Sequence, residues 1–353
     1  MKILVTPLYG IGDTLMMTPA LKILKSNLKS VEIAVFTMFP STRDVLLYNP
    51  YIDELIYYPL LEKKIDGLSY ILKNIRPKNF DYVINFYPTN RKDYNIFSFL
   101  TGSKKRIGHS YKVMNIREFN FLKNKKIMEV DNLHNVLENI RLLREFFGID
   151  VKDVPPMEIY LKEEEMEEAD EFLKKNKIDD KFLIGIHAGS SVFKGHKGKR
   201  WSIKKFEELI KRIKGKIKES FFLFFGAKDD EDVNEYLDKS IDFGLYVKGK
   251  GIRQVAALIK RCKIFITNDS GLMHLSAACH VPVLALFGPT SPYKLHPWGV
   301  KHRVCFLGLD CSPCFVYSPK PMRCVKGINF KCMEDMTVDY VFDKFIELYS
   351  EIQ

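Results

Sequence analysis

Four stretches of the chain gather the residue types that acid–base and phosphate chemistry need. The first is GIGDTLMMTPAL, residues 10–21, after the short apolar run Ile3-Leu4-Val5. Gly10 and Gly12 let the backbone turn tightly after a strand. Asp13 then falls at or near a helix start. A carboxylate there is favoured by free backbone N–H groups and by the helix dipole, a capping role worth about 1 kcal/mol. The same residue could serve as a general base at the floor of a cleft, although those donors would weaken it as a base. The loop resembles a phosphate-binding turn, but a negative charge at the helix start would repel a pyrophosphate. Pro19, inside the helical pattern, removes a backbone donor and should kink the helix.

The second stretch is IGIHAGSSVFKGHKGKRWS, residues 184–202. A strand ends at His187, and the small and hydroxyl residues Ala188, Gly189, Ser190 and Ser191 follow. Lys194, Lys197, Lys199 and Arg200 come next. Small residues let backbone amides approach an anion, hydroxyls donate hydrogen bonds, and cations supply charge. This outlines a diphosphate site; a mobile basic loop is the plainer alternative. In FGAKDDEDV, residues 225–233, an acidic helix start follows a strand. A carboxylate so placed suits a ribose diol, and it suits a helix N-terminus equally well.

The fourth stretch is NDSGLMHLSAACHVPVLALFGPTSP, residues 268–292. Asn268, Asp269, Ser270 and Gly271 end one strand and open a helix whose free N–H groups can meet an anion. His274 lies three residues past Gly271, on about the same helical face. A second strand ends in Gly288-Pro289-Thr290. Two glycine-bearing strand ends beside a helix start form a cradle for a nucleotide sugar. A histidine packed within the helix is the plainer reading of His274.

These loops need a frame. The chain has 353 residues, 46% of them hydrophobic, enough for about two domains. Short, doubly apolar runs at 2–6, 32–36, 81–87, 182–187, 221–225, 263–267 and 282–287 read as buried parallel strands. Helical patterns at 13–28, 132–147, 163–176, 203–214, 252–261 and 271–279 alternate with them. Such alternation implies an α/β class with mainly parallel sheets and helices on both faces. The pattern breaks at GIDVKDVPPMEIYLKEEE and restarts at Phe182. The expected division is 1–160 and 161–335, with a C-terminal helix, 336–353, that could pack back on the first domain. Ligands belong at the carboxyl ends of the strands, and a cleft between two such domains is the expected active site.

No apolar run approaches the roughly 20 residues that span a bilayer, and no signal-peptide pattern is present. The expectation is a cytoplasmic chain with reduced thiols. Net charge is +11, and it is uneven. Residues 1–150 carry 22 Lys and Arg against 15 Asp and Glu, the remainder 33 against 29. A basic half suits a nucleic acid, a membrane face or a phosphorylated substrate. The charges are scattered in short pieces, Lys104-Lys105-Arg106 and Lys123-Asn124-Lys125-Lys126 among them. No long basic arm or zinc-finger spacing argues for nucleic acid.

The four stretches, in this order, resemble glycosyltransferase family nine, the heptosyltransferase-type enzymes of lipopolysaccharide core assembly. GIGDTLMMTPAL is similar to the family's opening Gly-Asp…Pro-Ala-Leu motif, KRWS to its lysine-containing segment, and NDSGLMHLSAA with ALFGPTSP to its most diagnostic string. The resemblance implies a GT-B fold: two Rossmann-like domains facing across a cleft, the first for acceptor and the second for nucleotide sugar. It implies Asp13 as catalytic base, Lys199 on the diphosphate, Asp269 and His274 as a donor-site pair, and Asp230 or Glu231 at the ribose. Gly189-Ser190 stands where some members carry paired threonines, and the loop 192–198 looks longer. Gly189, Ser190, Ser191, Arg200, Ser270, Gly271 and Gly288 complete the expected donor set. Gly12, Arg91, Lys92 and Arg106 form the expected acceptor set. The activity implied is inverting transfer of heptose from ADP-heptose, with no metal or other cofactor. Its acceptor would be an anionic saccharide or glycolipid met at the inner membrane, and no nucleic acid takes part. A sugar-nucleotide epimerase and a non-catalytic nucleotide-sugar-binding protein are the alternatives. Cys311, Cys314, Cys324 and Cys332 could in principle hold zinc, but the second pair lacks the tight spacing of a zinc ribbon.

Overall fold

The computed structural model describes residues 1–6, 10–191, 193–315 and 321–353, with the side chains of residues 64, 65, 193 and 194 left aside. Contacts divide the chain into two units, Met1–Tyr160 and Leu161–Gln353. The first holds strands β1 (Lys2–Val5), β2 (Glu32–Thr37), β3 (Glu54–Tyr57), β4 (Tyr82–Ile84), β5 (Lys105–Ser110) and β6 (Lys125–Met128). They pair in parallel in the order β3-β2-β1-β4-β5-β6. The second holds β7 (Phe182–His187), β8 (Ser220–Phe224), β9 (Gly244–Tyr246), β10 (Ile264–Asn268), β11 (Val283–Leu286) and β12 (His302–Cys305). Their order, β12-β11-β10-β7-β8-β9, is again fully parallel. Counted from its own first strand, each sheet runs 3-2-1-4-5-6, the doubly wound Rossmann order.

That order reverses between β1 and β4 in one unit and between β7 and β10 in the other. The connections leave there towards opposite faces, so a crevice opens beyond the carboxyl ends. Five strands lie outside the doubly apolar runs read from the sequence. Four of them, β3, β6, β9 and β12, are sheet edges, where solvent on one side tolerates charge. The fifth, β5, is internal yet polar. Its His109 is buried, with Nε2 3.1 Å from the Glu138 carboxylate.

The helical pattern at 13–28 is two helices, Ile11–Met16 and Thr18–Asn27. Pro19 lies in the first turn of the second, where its missing N–H costs nothing. The C-terminal helix, Val338–Ile352, buries Val338, Val341, Phe345 and Leu348 among core residues of the second unit. It packs on β12 and on helix Ile203–Lys216. Its apolar face is thus packed within the second unit.

One buried cation distinguishes the first unit. Lys123, read from the sequence as part of a basic run, is 1% exposed. Its stem passes 2.8 Å from where a Cβ on Gly108 would stand, so β5 needs glycine there. Its Nζ donates to the Thr89 carbonyl at 3.1 Å and lies 5.4 Å from the centre of the Tyr111 ring. Burial first, and then the neighbouring charge of Lys126, push its ammonium down to about 7 from the ordinary 10.5. Between those two values the unfolded chain binds a proton that the folded chain does not. Stability therefore rises with pH across that window, by up to roughly 1.4 kcal/mol per unit. The denaturant midpoint of the protein should climb between pH 7 and 9, and Lys123→Met should remove most of the climb. Equal pH slopes for the two proteins would refute the buried-charge account.

Candidate active site

In the first unit the helix that carries Asp13 begins with Gly10, an extended residue at its N-cap. Asp13 is therefore not the cap itself but the third helical residue, and it is partly exposed. Gly12 is buried beneath it, and Thr14 closes the turn by donating to the Gly10 carbonyl at 2.9 Å. The Asp13 carboxylate lies 3.3 Å from where a Cβ on Gly10 would be, so a side chain at Gly10 would crowd it.

The loop after β4 is tied to this helix. Asn139, fully buried, donates to the Met16 carbonyl at 3.3 Å and accepts from the Tyr87 N–H at 2.7 Å. The Thr89 N–H is taken by the Tyr111 hydroxyl at 2.6 Å, and its carbonyl by Lys123. Arg91 and Lys92 follow at the start of helix Lys92–Leu100, and the Lys92 N–H donates to Glu118 at 3.0 Å. Asp13, Arg91 and Lys92 thus lie at the starts of the helices that follow the carboxyl ends of β1 and β4.

Arg106 does not join them. It stands at the amino end of β5, paired with Val83 near the start of β4. Its guanidinium donates to the Leu122 and Ser103 carbonyls, both at 2.7 Å, and covers the Phe99 ring. Lys105, at the same end, donates to the Tyr82 hydroxyl at 2.7 Å. In a parallel sheet, a basic run that opens a strand lies at the end away from the carboxyl-end crevice, so the structure does not bring Arg106 together with Asp13, Arg91 and Lys92.

In the second unit the expected donor residues converge at the ends of β7, β8 and β10. Asn268, buried at the end of β10, donates to the carbonyls of Ala188 at 2.8 Å and Gly189 at 3.1 Å. Its own oxygen accepts from the Trp201 N–H at 3.0 Å. Asp230, 4% exposed, accepts from four donors. They are Arg200 at 2.7 Å, His187 Nε2 at 3.2 Å, and the Ser190 and Ala227 N–H groups, each at 3.2 Å. A Cβ on Gly189 would overlap this carboxyl, which is why glycine follows Ala188. Burial alone would raise the pKa of Asp230. The bond from His187, the Ala227 N–H and the Arg200 charge outweigh it and hold the carboxyl below the usual range. Arg200 also donates to the Ser190 carbonyl at 2.5 Å, so its guanidinium is largely spent on the protein.

Lys199 is differently placed. Its Nζ bonds the buried Asp269 carboxylate at 2.9 Å, which leaves further N–H directions open. For Asp269 too, burial pushes upward, but the Lys199 ammonium and then His274 hold the carboxyl low. His274 is 4% exposed, and burial takes its imidazole down to about 4 against the pull of Asp269. It is therefore neutral at neutral pH, and its Nδ1 has no hydrogen-bond partner among the described residues. Ser270 caps helix Gly271–Ala278, accepting from the Met273 N–H at 3.4 Å, and bonds His187 Nδ1 at 2.9 Å.

Three residues stand apart. Glu231 is half-buried beyond Asp230 and pairs with Lys248. Ser191 is exposed beyond the buried Ser190. Gly288, at the end of β11, is a packing glycine: a Cβ there would overlap Met333. Val192, in the loop expected to be long, lies outside the described residues, as does the side chain of Lys194. The turn holding Cys311 and Cys314 is fastened to the β11 loop, with the Cys314 N–H on the Pro289 carbonyl at 2.9 Å. All seven cysteines are free thiols. No group of three or more His, Cys, Asp or Glu among the described residues is arranged to hold a metal. Sequence reasoning missed His187, Asn268, Asn139 and Lys123 as functional supports. The available signal was a polar residue closing an otherwise apolar strand, which both His187 and Asn268 show.

The family model for glycosyltransferase family 9 (heptosyltransferase) matches residues 69–325. Lipooligosaccharide heptosyltransferase 2 of Campylobacter jejuni is 26% identical over 98% of this chain and 97% of its own length. Among solved structures, a family 9 glycosyl transferase from Veillonella parvula superposes with a TM-score of 0.81 at 24% identity, covering 99% of this chain and 97% of the other. The ADP-heptose LPS heptosyltransferase II of Escherichia coli does so with a TM-score of 0.74 at 21% identity, covering 99% of each chain. With two parallel Rossmann sheets, and donor-type residues gathered at the switch point of the second, this chain belongs to glycosyltransferase family 9, the heptosyltransferase family, and is a glycosyltransferase of GT-B fold.

Proposed function

We propose that the protein transfers heptose from ADP-heptose to a lipopolysaccharide-core or related saccharide, with inversion and without a metal. One observation carries this reading: the two switch points have opposite chemistry. The first offers a partly exposed carboxylate, Asp13. The second offers Lys199, with open donor directions, beside the unpartnered Nδ1 of a neutral His274. The Escherichia coli relative whose name carries ADP-heptose supports the choice of donor.

In the proposed reaction an acceptor hydroxyl gives its proton to an Asp13 carboxylate oxygen as that hydroxyl oxygen attacks the anomeric carbon. The bond from that carbon to the diphosphate oxygen breaks, and the electron pair leaves with the nucleoside diphosphate. A single displacement inverts the anomeric centre. Lys199 and the N–H groups at the start of helix Gly271–Ala278 neutralise the departing charge, a task that other enzymes give to a cation. Arg200, fastened to Asp230 and Ser190, holds the loop that carries Lys199. Asp230 is saturated by its four donors, so the carboxylate assigned to the ribose diol is Glu231. Arg91 and Lys92 would meet an anionic acceptor. Such an acceptor, if lipid-borne, calls for peripheral contact with the cytosolic face of the inner membrane. No helix among the described residues is long and apolar enough to cross a membrane.

Three outcomes test this reading. Asp13→Asn should lower kcat by about 10²–10⁴-fold, with the dissociation constant for ADP-heptose changed little. A loss below tenfold in a folded variant would remove the general-base role. Glu231→Gln should weaken ADP-heptose binding in calorimetry at unchanged Tm. Asp230→Asn should instead lower Tm, because the donor loops lose their shared acceptor. The reverse pattern would return the ribose contact to Asp230. Transfer should also persist in excess chelator; activity lost to chelator and restored by magnesium or manganese would refute the metal-free mechanism.

A further inference from the structure

We propose that the loop Lys112–Phe121 of the first unit, together with the adjoining Arg91 and Lys92, is the surface by which the protein docks on an anionic lipid bilayer. The proposal rests on the reading that the acceptor is lipid-borne, and it assigns that contact to particular side chains.

Four large apolar residues of this one loop meet water. Ile116 is 83% exposed, Phe121 62%, Val113 49% and Phe119 39%. Single exposed apolar residues are common on any protein, whereas a cluster calls for a partner. The Phe119 and Phe121 rings lie 5.7 Å apart. The loop is closed on itself by backbone bonds from Glu118 to Met114, Phe119 to Ile116 and Asn120 to Asn115, each 2.8–3.0 Å. The buried Asn120 amide anchors it to the His109 carbonyl at 2.9 Å. Met114 and Phe119 both take the left-handed backbone region, at φ 67° and 55°, which non-glycine residues adopt at a cost. The exposed side chains are therefore presented by a defined shape.

The loop adjoins the acceptor side of the first unit. Asn90 donates to the Val113 carbonyl at 3.1 Å, and Asn95 to the Glu118 carbonyl at 2.6 Å. Glu118 in turn accepts from the Lys92 N–H. Charge selects the partner. On the loop and its immediate neighbours, Arg91, Lys92, Lys112, Arg117 and Lys126, whose Nζ reaches the Asn120 carbonyl, stand against Asp93, Glu118 and the Asp131 that pairs with Lys112. An excess of cations beside exposed apolar side chains matches the interface of an anionic bilayer: phosphates meet the cations and the acyl boundary receives the apolar groups. A nucleic acid would satisfy the cations and the two rings. It would leave Ile116, an aliphatic side chain with no base to stack on, in water.

The test uses the full-length protein with vesicles of phosphatidylcholine alone or mixed with phosphatidylglycerol. The protein should sediment with the mixed vesicles, less so as salt rises. The double variant Ile116→Ser, Phe121→Ser should lose that binding at least tenfold. Ile116→Trp should show a blue shift in its emission on the mixed vesicles only. Heptosyl transfer to a delipidated core saccharide should be unchanged in the double variant, while transfer to the same saccharide embedded in vesicles falls. Vesicle binding equal to wild type in the double variant overturns the proposal. So does binding to single-stranded RNA, in place of vesicles, that the same substitutions abolish. If the wild type transfers heptose to neither acceptor but the variant still loses the vesicles, the reading of function fails and the docking surface stands.

Discussion

The Asn268 carboxamide is the contact on which the loops of the second unit depend. It closes β10, takes up two carbonyls of the loop after β7, and receives the N–H of Trp201. Trp201 follows Lys199 and Arg200 directly, and its indole donates to the Met336 carbonyl at 2.9 Å, ahead of the C-terminal helix. One buried amide thereby registers three segments far apart in sequence. Replacing it with an apolar residue would strand two buried carbonyls and one N–H, each at the cost of desolvation without compensation.

Those ion pairs have a different use. Asp230 gathers Arg200, His187 and two N–H groups, and Asp269 holds Lys199. Buried pairs of this kind add little net stability, because desolvation offsets attraction. They do keep charged groups fixed in a low-dielectric site before a ligand arrives, which is where electrostatic stabilisation of a leaving diphosphate is strongest. A neutral His274 fits the scheme. A second cation beside Lys199 would compete for Asp269, whereas an uncharged imidazole with an open Nδ1 keeps a hydrogen bond in reserve.

What could be read from the sequence follows from what a linear pattern encodes. Apolar runs found the central strands, because burial on both faces leaves no polar alternation. Edge strands such as HRVC and ELIY carry charge towards solvent and lack that signature. The glycine and carboxylate motifs could be read because tight turns and helix starts restrict residue type. Direction could not. Lys104-Lys105-Arg106 announces a cationic run, but only the pairing of Lys105 with Tyr82 shows that it opens β5 and so lies at the amino end of the sheet. Burial was hidden as well. Lys123 sits in a string of charged residues, yet it passes under Thr89 through the space left by Gly108. His187 and Asn268 read as the last letters of strands, while their work depends on partners more than 40 residues away.

The two units also show how far topology goes in deciding function. Both sheets run in the same order and both put their crevice at the same strand pair. At the first, the helix start is capped by a glycine and carries a carboxylate in its first turn. At the second, a serine caps the helix and a lysine–aspartate pair stands beside it. The fold supplies an identical place twice; the few residues after each strand decide whether that place attracts a proton or a phosphate. In the proposed transfer the first place would take up the acceptor's proton and the second would meet the departing diphosphate, so neither crevice would have to hold base and anion together.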